Sequence, residues 1–397
     1  MILDFTIDAV ALAMVVFATP LFLDLCVSIV GNIATARQRT DRTSKANSRS
    51  IHLAVVVPAH NEEQMIARTV DSLRASDDAT TVFVVAHNCS DATAQRAAEA
   101  GAHVLELNNP KVRGKGAALR HGFRAALEAG ANAFLVIDAD SVVSPNLIAA
   151  TRAALEQGVG VTQCRYELEL PSTRPLHPLA RLRVIAFRGI NVARARGRAG
   201  LGFSAGLFGN GFALTAETLQ RVPFTADSIT EDIEYHIKLV CAGAKVEWID
   251  DAVVHAPLAA PGSAQAVQEA RWEGGRLYVA SCMTGKLALA ILRGNWRAVE
   301  MLAESWSLPL SRGILALLLA AALPIHWLHL WALACALITL TYVLEAVSLG
   351  AEPVQDLKAL AAAPLHLAWK AAMTPRVLLK SRKNVEWERT KREAPQL

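Results

Sequence analysis

Two short acidic steps in this chain carry residue types that chemistry needs: Asp138-Ala139-Asp140 and Thr230-Glu231-Asp232. Two carboxylates one residue apart at the end of a strand can share a hard divalent cation. Such a cation neutralises a diphosphate and makes it a better leaving group. A helix cap is the ordinary alternative, since Ser141 through Pro145 could begin a helix. The second step has an ordinary explanation too. Ser228 and Glu231 form a Ser-x-x-Glu capping box, and Ile229, Ile233, Ile237 and Val240 recur at helical spacing. Acids in a first turn suit the helix dipole, which would lower the Asp232 pKa and keep the group ionised. On this segment alone, cap and chemistry both stay open.

The elements that must position these residues are legible between 51 and 260. "IHLAVVVPAH", "TTVFVVAHN", "AHVLEL" and "NAFLVIDAD" read as strands. Between them "NEEQMIARTVDSLRAS", "DATAQRAAEAG" and "KGAALRHGFRAALEAG" read as helices. Near-continuous apolar strands alternating with helices predict a parallel, doubly wound α/β sheet. Such sheets bind ligands at the carboxyl ends of their strands. There the polar residues collect: His60-Asn61-Glu62, His87-Asn88 and Asp138 with Asp140. A dinucleotide fold would need Gly-x-Gly-x-x-Gly after the first strand, where Pro58-Ala59-His60-Asn61-Glu62 stands. Gly114-Lys115-Gly116 lacks the spacer and the Ser/Thr of a phosphate-binding P-loop.

The composition points to a membrane. Of 397 residues 53% are hydrophobic, and the mean hydropathy is +0.29. Residues 9–33 form a candidate spanning helix with a single charge, Asp24, which costs about 3 kcal/mol at mid-depth. Arg37, Arg39, Arg42, Lys45 and Arg49 follow it, so the positive-inside rule puts the amino terminus outside and the next domain in the cytosol. A second apolar region, 308–349, reads as two spans, about 308–323 and 328–348, around the interfacial "PIHWLHLW". A buried helical hairpin is the alternative. Lys370, Arg376, Lys380, Arg382, Lys383, Arg389, Lys391 and Arg392 return the tail to the basic side. The six cysteines have no metal spacing and read as core residues of a reduced, cytosolic protein.

Residues 170–216 contain no acid but hold Arg174, Arg181, Arg183, Arg188, Arg194, Arg196 and Arg198. Such a stretch is either a solvated helix face packed on the sheet or a helix lying on anionic lipid.

Seven motifs occur in order: "VVVPAHNEE" (55–63), "AHNCSDATA" (86–94), "RGKGAAL" (113–119), "IDADSVVSPNLI" (137–148), "GNGFALTAETL" (209–219), "SITEDIEY" (228–235) and "QEARW" (268–272). Together they resemble the membrane-bound family 2 glycosyltransferases, the cellulose synthase and hyaluronan synthase group, over about 51–280. The resemblance implies a GT-A fold and an inverting transfer from a nucleotide sugar, with UDP the expected nucleotide. It implies Mg²⁺ or Mn²⁺ on Asp138 and Asp140. By the same resemblance Pro58, Ala59, Glu62, His87, Asn88, Lys115 and Asp138 bind the donor. Asp232 is then the general base, within Thr230-Glu231-Asp232. Gln268, Arg271 and Trp272, at i, i+3 and i+4, share one helix face. From it Arg271 can bond a diphosphate oxygen, and Trp272 can stack on the acceptor or anchor at the bilayer. Many relatives carry Asp where this chain has Ala86 or His87, so His87 or Asn88 would have to read the base edge.

The implied organisation is a membrane helix and basic segment (1–50), a cytosolic catalytic domain (51–262), Gln-x-x-Arg-Trp and interface helices (263–307), a transmembrane hairpin (308–349) and a basic cytosolic tail (350–397). The implied setting is the inner membrane, with a glycan or lipid-linked acceptor, membrane lipids and export proteins as partners, and no nucleic acid. The alternatives are a single-transfer glycolipid enzyme and a catalytically inactive scaffold.

Overall fold

The computed structural model describes residues 2–38, 49–112, 114–170, 176–258 and 263–380. Arg39, Arg42, Lys45, Arg113, Arg174, Arg382, Lys383, Arg389, Lys391 and Arg392 lie outside the described residues.

Eight strands form one sheet: β1 (Leu53–Ala59), β2 (Val82–His87), β3 (His103–Leu107), β4 (Ala133–Val136), β5 (Val142–Val143), β6 (Val161–Leu168), β7 (Phe212–Thr215) and β8 (Glu247–Ala256). Their order is β3-β2-β1-β4-β7-β6-β8-β5. β1 runs parallel to β2 and β4, and β2 to β3, as the alternation of strands and helices predicts. The other half is mixed: β6 runs parallel to β8, while β7 is antiparallel to both β4 and β6 and β5 to β8, so the sheet is mostly parallel, as expected. A parallel partner requires a crossover back over the sheet. After β6 the chain instead leaves for the helical layer through Pro178–Arg188 and Ala195–Gly200. It re-enters beside Gln163 and Cys164 and runs toward the start of β6, so β7 runs backwards. Alternate residues of each strand feed opposite cores. Val56, Phe134 and Leu214 pack with Leu119 and Phe123 on one face. Val55, Val57 and Leu135 pack with Ile66, Val70 and Leu147 on the other.

The first helix after β1 starts at Ile66, later than the sequence suggests. Asn61 takes a left-handed φ of 55°, and the Glu62 and Glu63 amides donate across to Thr93 and Asp91. The six cysteines are free, and only Cys164 and Cys335 are buried, so the reading of all six as core residues fails for the other four.

Among the described residues three helical segments are long and apolar enough to cross a membrane: Asp8–Thr35, Ala266–Leu292 and His326–Ser348. The expected span at 308–323 is the 13-residue helix Leu310–Ala322, about 20 Å long against the ~30 Å of a hydrocarbon core. It qualifies only together with Arg297–Trp306, from which it is bent by 70°. The Ile2–Gln38, Leu310–Ala322 and His326–Ser348 helices share an apolar cluster that includes Leu21, Phe22, Leu25, Leu317, Ala332 and Tyr342.

The arginine-rich stretch is neither a solvated face nor a lipid-facing one. Arg181, Arg188 and Arg198 are buried. Arg181 meets Asp356 at 2.9 Å and Glu352 at 2.6 Å, and Arg188 meets Asp356 at 2.7 Å. Arg194 lies 2.5 Å from Asp24 and 3.1 Å from Glu304. Arg198 pairs with Asp24, Glu300 and Glu304. A π-helical turn, Gly189–Arg194, interrupts this stretch. The Ala193 carbonyl accepts from Ser28 Oγ at 3.1 Å and Asn32 Nδ2 at 2.7 Å of the N-terminal helix. The two backbones touch here: a Cβ on Gly197 would sit 2.1 Å from the Ser28 carbonyl oxygen.

Gly197→Ala should therefore behave as an overpacked site and cost about 1–3 kcal/mol or more. Gly285, where a Cβ meets nothing within 4 Å, should gain up to about 1 kcal/mol as Ala. Thermal melts of the two purified variants compare them, and an unchanged Tm for Gly197→Ala would contradict backbone contact between these helices.

Candidate active site

The carboxyl ends of β1, β2 and β4 open into a cavity of about 1440 Å³. All fourteen residues singled out from the sequence line it: Pro58, Ala59, Glu62, His87, Asn88, Lys115, Asp138, Asp140, Thr230, Glu231, Asp232, Gln268, Arg271 and Trp272.

Lys115 is the hub. It opens the Lys115–Glu128 helix after Gly114 (φ 92°). Its Nζ lies 2.5 Å from Asp138 Oδ1, 2.6 Å from the Gly209 carbonyl and 3.8 Å from Glu231. The Asp138 amide donates to Asn210 Oδ1, and Asn210 Nδ2 donates to Ser141 Oγ, which ties the β4 end to the turn before β7. That turn needs glycine. Gly209 has φ 73°, and a Cβ on it would stand 3.2 Å from Asp232 Oδ2 and 3.4 Å from Lys115 Nζ.

The Glu231–Cys241 helix starts at Glu231, with Thr230 as an N-cap whose side chain makes no capping bond. The expected capping box does not form. The Ser228 amide donates to Glu234 at 3.1 Å, and among the described residues Thr230 Oγ1 makes no hydrogen bond. Glu231 is thereby left to face Lys115. The Ser263–Leu292 helix packs on this corner, since a Cβ on Gly275 would meet Thr230 Cγ2 at 2.7 Å.

Burial pushes the Glu231 carboxyl up to about 7, against the pull of Lys115 and with the help of Asp232. Burial also raises Asp232, against the Ile233 amide and Lys115. The expectation that the helix dipole would depress Asp232 is thus reversed: desolvation outweighs the dipole. Burial alone would lower the Lys115 ammonium, but Asp138 and Glu231 outweigh it and hold it above its ordinary value.

Among the described residues no group of three or more His, Cys, Asp or Glu could by itself hold a metal ion. Two carboxylates at the strand end do fit an Mg²⁺-like cation that completes its shell with substrate phosphates and water. The expected base readers are otherwise engaged. His87 is buried with Nε2 2.9 Å from the Val112 carbonyl. Asn88, at φ 51°, donates to the Asn109 and Val112 carbonyls and accepts from the Asn109 amide. Trp272 is 40% exposed. Its ring centroid lies 6.4 Å from Phe187, which meets Tyr166 edge-on at 5.0 Å. These two rings were not singled out from the sequence. Asp24 and Arg194 were read only as a lone charge in the span and as part of the arginine run, and Glu304 was not read at all; all three line the far end. A lone acid in an apolar helix beside an acid-free arginine run was the signal that could have paired them.

A sequence model of the glycosyltransferase-like family 2 matches residues 51–275. Protein RfbJ of Shigella flexneri is 31% identical over 91 residues, which is 23% of this chain and 66%, just under two thirds, of that protein. The mannosyltransferase PcManGT from Pyrobaculum calidifontis, solved with GDP-Man and Mn²⁺, superposes with a TM-score of 0.52 at 18% identity, over 94% of this chain and 97% of that one. Glucosyl-3-phosphoglycerate synthase from Mycobacterium tuberculosis gives 0.42 at 21% identity, over 60% and 79%. The first superposition shows a shared GT-A fold.

The raised Glu231 pKa has a consequence for stability. Below its ordinary 4.5 the carboxyl is protonated whether folded or unfolded; between 4.5 and about 7 only the folded chain holds the proton. Folding therefore loses stability as pH rises through that window. Melts in chelator from pH 5 to 8 should show a Tm that falls more, or rises less, with pH in the wild type than in Glu231→Gln; buried His236, held down at about 4, pulls the other way below its ordinary 6.5 in both. Parallel slopes would mean that the Glu231 charge is not buried at a cost.

Proposed function

The chain belongs to the glycosyltransferase-like family 2, and from that premise we propose that it moves a sugar, with inversion, from a nucleoside-diphosphate donor to an acceptor hydroxyl at the cytosolic face of the inner membrane. Its product belongs to a cell-surface glycan or glycolipid, with export proteins as downstream partners. The observation that carries this reading is the meeting of Lys115, Asp138, Glu231 and Asp232 around Gly209 at one end of a single cavity.

Inverting transfer is an in-line displacement, and each partner has a candidate residue. The alcohol needs a base, typically worth 10²–10⁴-fold. Asp232 takes that role, and its raised pKa makes it a better proton acceptor than an exposed carboxylate. Glu231 holds Lys115, and Lys115 with Arg271 faces the diphosphate. Asp138 and Asp140 would hold Mg²⁺ or Mn²⁺, which supplies charge neutralisation to the leaving group. The GDP-Man and Mn²⁺ bound by the Pyrobaculum enzyme belong to these classes of donor and metal. Pro58, Ala59 and Glu62 line the nucleotide end, and Gln268 and Trp272 the acceptor side. With His87 and Asn88 engaged, the preference for UDP loses its expected readers. The intact set Asp138, Asp140 and Asp232 speaks against an inactive scaffold.

The N-terminal helix, the bent pair Arg297–Trp306 with Leu310–Ala322, and His326–Ser348 make the membrane layer in this reading. They carry exposed apolar side chains such as Phe17, Leu23, Leu330, Leu333 and Leu337. The Ser263–Leu292 helix bears Gln268, Glu269, Arg271, Glu273 and Arg276 and lies at the interface. Three passes leave the 51–262 body and the tail in the cytosol.

Asp232→Asn should lower transfer by about 10²-fold or more, because an amide accepts no proton, while nucleotide affinity changes little. Near-normal turnover would return Asp232 to a structural role. EDTA should abolish transfer and Mg²⁺ or Mn²⁺ restore it; full activity in excess chelator removes the metal. A reporter beyond Leu397 should read cytosolic and one before Met1 external, and an external reading beyond Leu397 would overturn three passes.

A further inference from the structure

The turn at Gly209 rests on a residue that lies outside all seven motifs. Gln163 belongs to β6 and is fully buried. Its Oε1 accepts from the Phe208 amide at 3.1 Å. Its Nε2 donates to the Asn210 carbonyl at 2.8 Å and to the Cys164 carbonyl at 2.9 Å. One side-chain amide therefore holds the chain on both sides of Gly209. Phe208 offers a donor and Asn210 an acceptor, so a single orientation of the Gln163 amide serves both.

Gly209 is where the two halves of the site touch. Its carbonyl accepts from Lys115 Nζ at 2.6 Å. A Cβ on it would stand 3.2 Å from Asp232 Oδ2 and 3.4 Å from Lys115 Nζ. Its backbone is thus the spacer between the ammonium and the carboxylate. The sheet anchors the chain further out: the Ala205 amide donates to the Val246 carbonyl at 3.0 Å, and the Gly211 amide to the Val136 carbonyl at 2.9 Å. The Asn210 side chain is taken up by the Asp138 amide and Ser141 Oγ, which leaves its main-chain carbonyl to Gln163. Phe208 and Gly209 line the cavity, and Gln163 does not. Gln163 therefore acts through the turn and not on a substrate.

We propose, on the footing of the transferase reading, that Gln163 is a positioning residue: it fixes the separation of Lys115, which faces the diphosphate, from Asp232, which faces the acceptor hydroxyl. An in-line displacement needs both ends aligned, and a misplacement of about 1 Å can cost about 10²-fold. Lys115 keeps Asp138 without the clamp, so donor binding survives the loss of Gln163 and turnover does not.

The full chain in lipid nanodiscs tests this with two variants. Gln163→Met keeps the length of the side chain and removes both bonds across Gly209. Gln163→Glu, buried against two carbonyls, is held protonated; it accepts from Phe208 through one oxygen and donates to Asn210 through the other. Mn²⁺-dependent binding of UDP and GDP, measured by calorimetry, counts the sites, and a panel of labelled UDP- and GDP-sugars supplies the donor. Turnover per site should fall about tenfold or more in Gln163→Met, with the donor KM near its wild-type value. Gln163→Glu should keep most of the turnover. A residue that only fills the core would give the reverse order, because methionine brings no polar group inside and a carboxyl does. Wild-type turnover per site in Gln163→Met, or Gln163→Glu slower than Gln163→Met, overturns the proposal. If Gln163→Met does not fold, Gln163→Asn, one methylene short of reaching both groups, takes its place in the comparison. A wild type that binds neither nucleotide, or turns over no sugar of the panel, removes the transferase reading; wild-type transfer with the wrong order of variants removes only this inference.

Discussion

A carboxylate inside an apolar helix has to find a cation, and Asp24 finds two. That requirement organises the molecule. Arg194 and Arg198 reach it from the segment that leaves the sheet after β6, and the same two arginines also hold Glu304, with Glu300 on Arg198. Arg181 and Arg188 repeat the arrangement against Asp356. The arginine segment is thus a buried joint between the catalytic sheet and the helical layer. Buried ion pairs contribute little net stability against apolar packing, but losing one partner is expensive. What the joint contributes is a defined position of one layer against the other. The cavity is built across that position, with Asp138 and Asp232 on one side and Leu21 and Leu308 on the other.

The catalytic end obeys the same logic on a smaller scale. One ammonium, Lys115, serves two carboxylates, Asp138 and Glu231, and burial raises both members of the Glu231–Asp232 pair. Like charges crowded around a single cation leave the site short of positive charge. A divalent ion and a donor would meet that shortage together. Two neighbouring carboxyls raised by burial in one cavity mark a candidate functional site.

Local signals were readable in the sequence. The β1–β4 strands, their carboxyl-end polar residues and the acidic steps at Asp138 and Asp232 all follow from patterns a few residues long. The misjudged features are long-range. β7 runs backwards because of where the preceding helices go, which no window around Phe212–Thr215 reveals. The capping partner of Ser228 is Glu234 and not Glu231, because Lys115, 116 residues earlier in the chain, competes for Glu231. The arginines looked solvated or lipid-bound because their acids lie at positions 24, 250, 269, 300, 304, 352 and 356. The Ser263–Leu292 helix, which packs on Thr230, likewise lies outside the segment around Asp232.

The joint at Asp24 also has a time attached to it. Arg194 is 170 residues away in the chain, and synthesis proceeds at about 5–20 residues per second. The N-terminal helix therefore exists for roughly ten to thirty seconds on the ribosome before its first cation is made. During that interval Asp24 is a lone acid in an apolar segment. Either it waits near the water interface or another protein shelters it. The helix then seats as the second half of a contact whose first half is only just emerging. The contact at Asp24 is therefore one that closes only after most of the catalytic sheet's strands have been made.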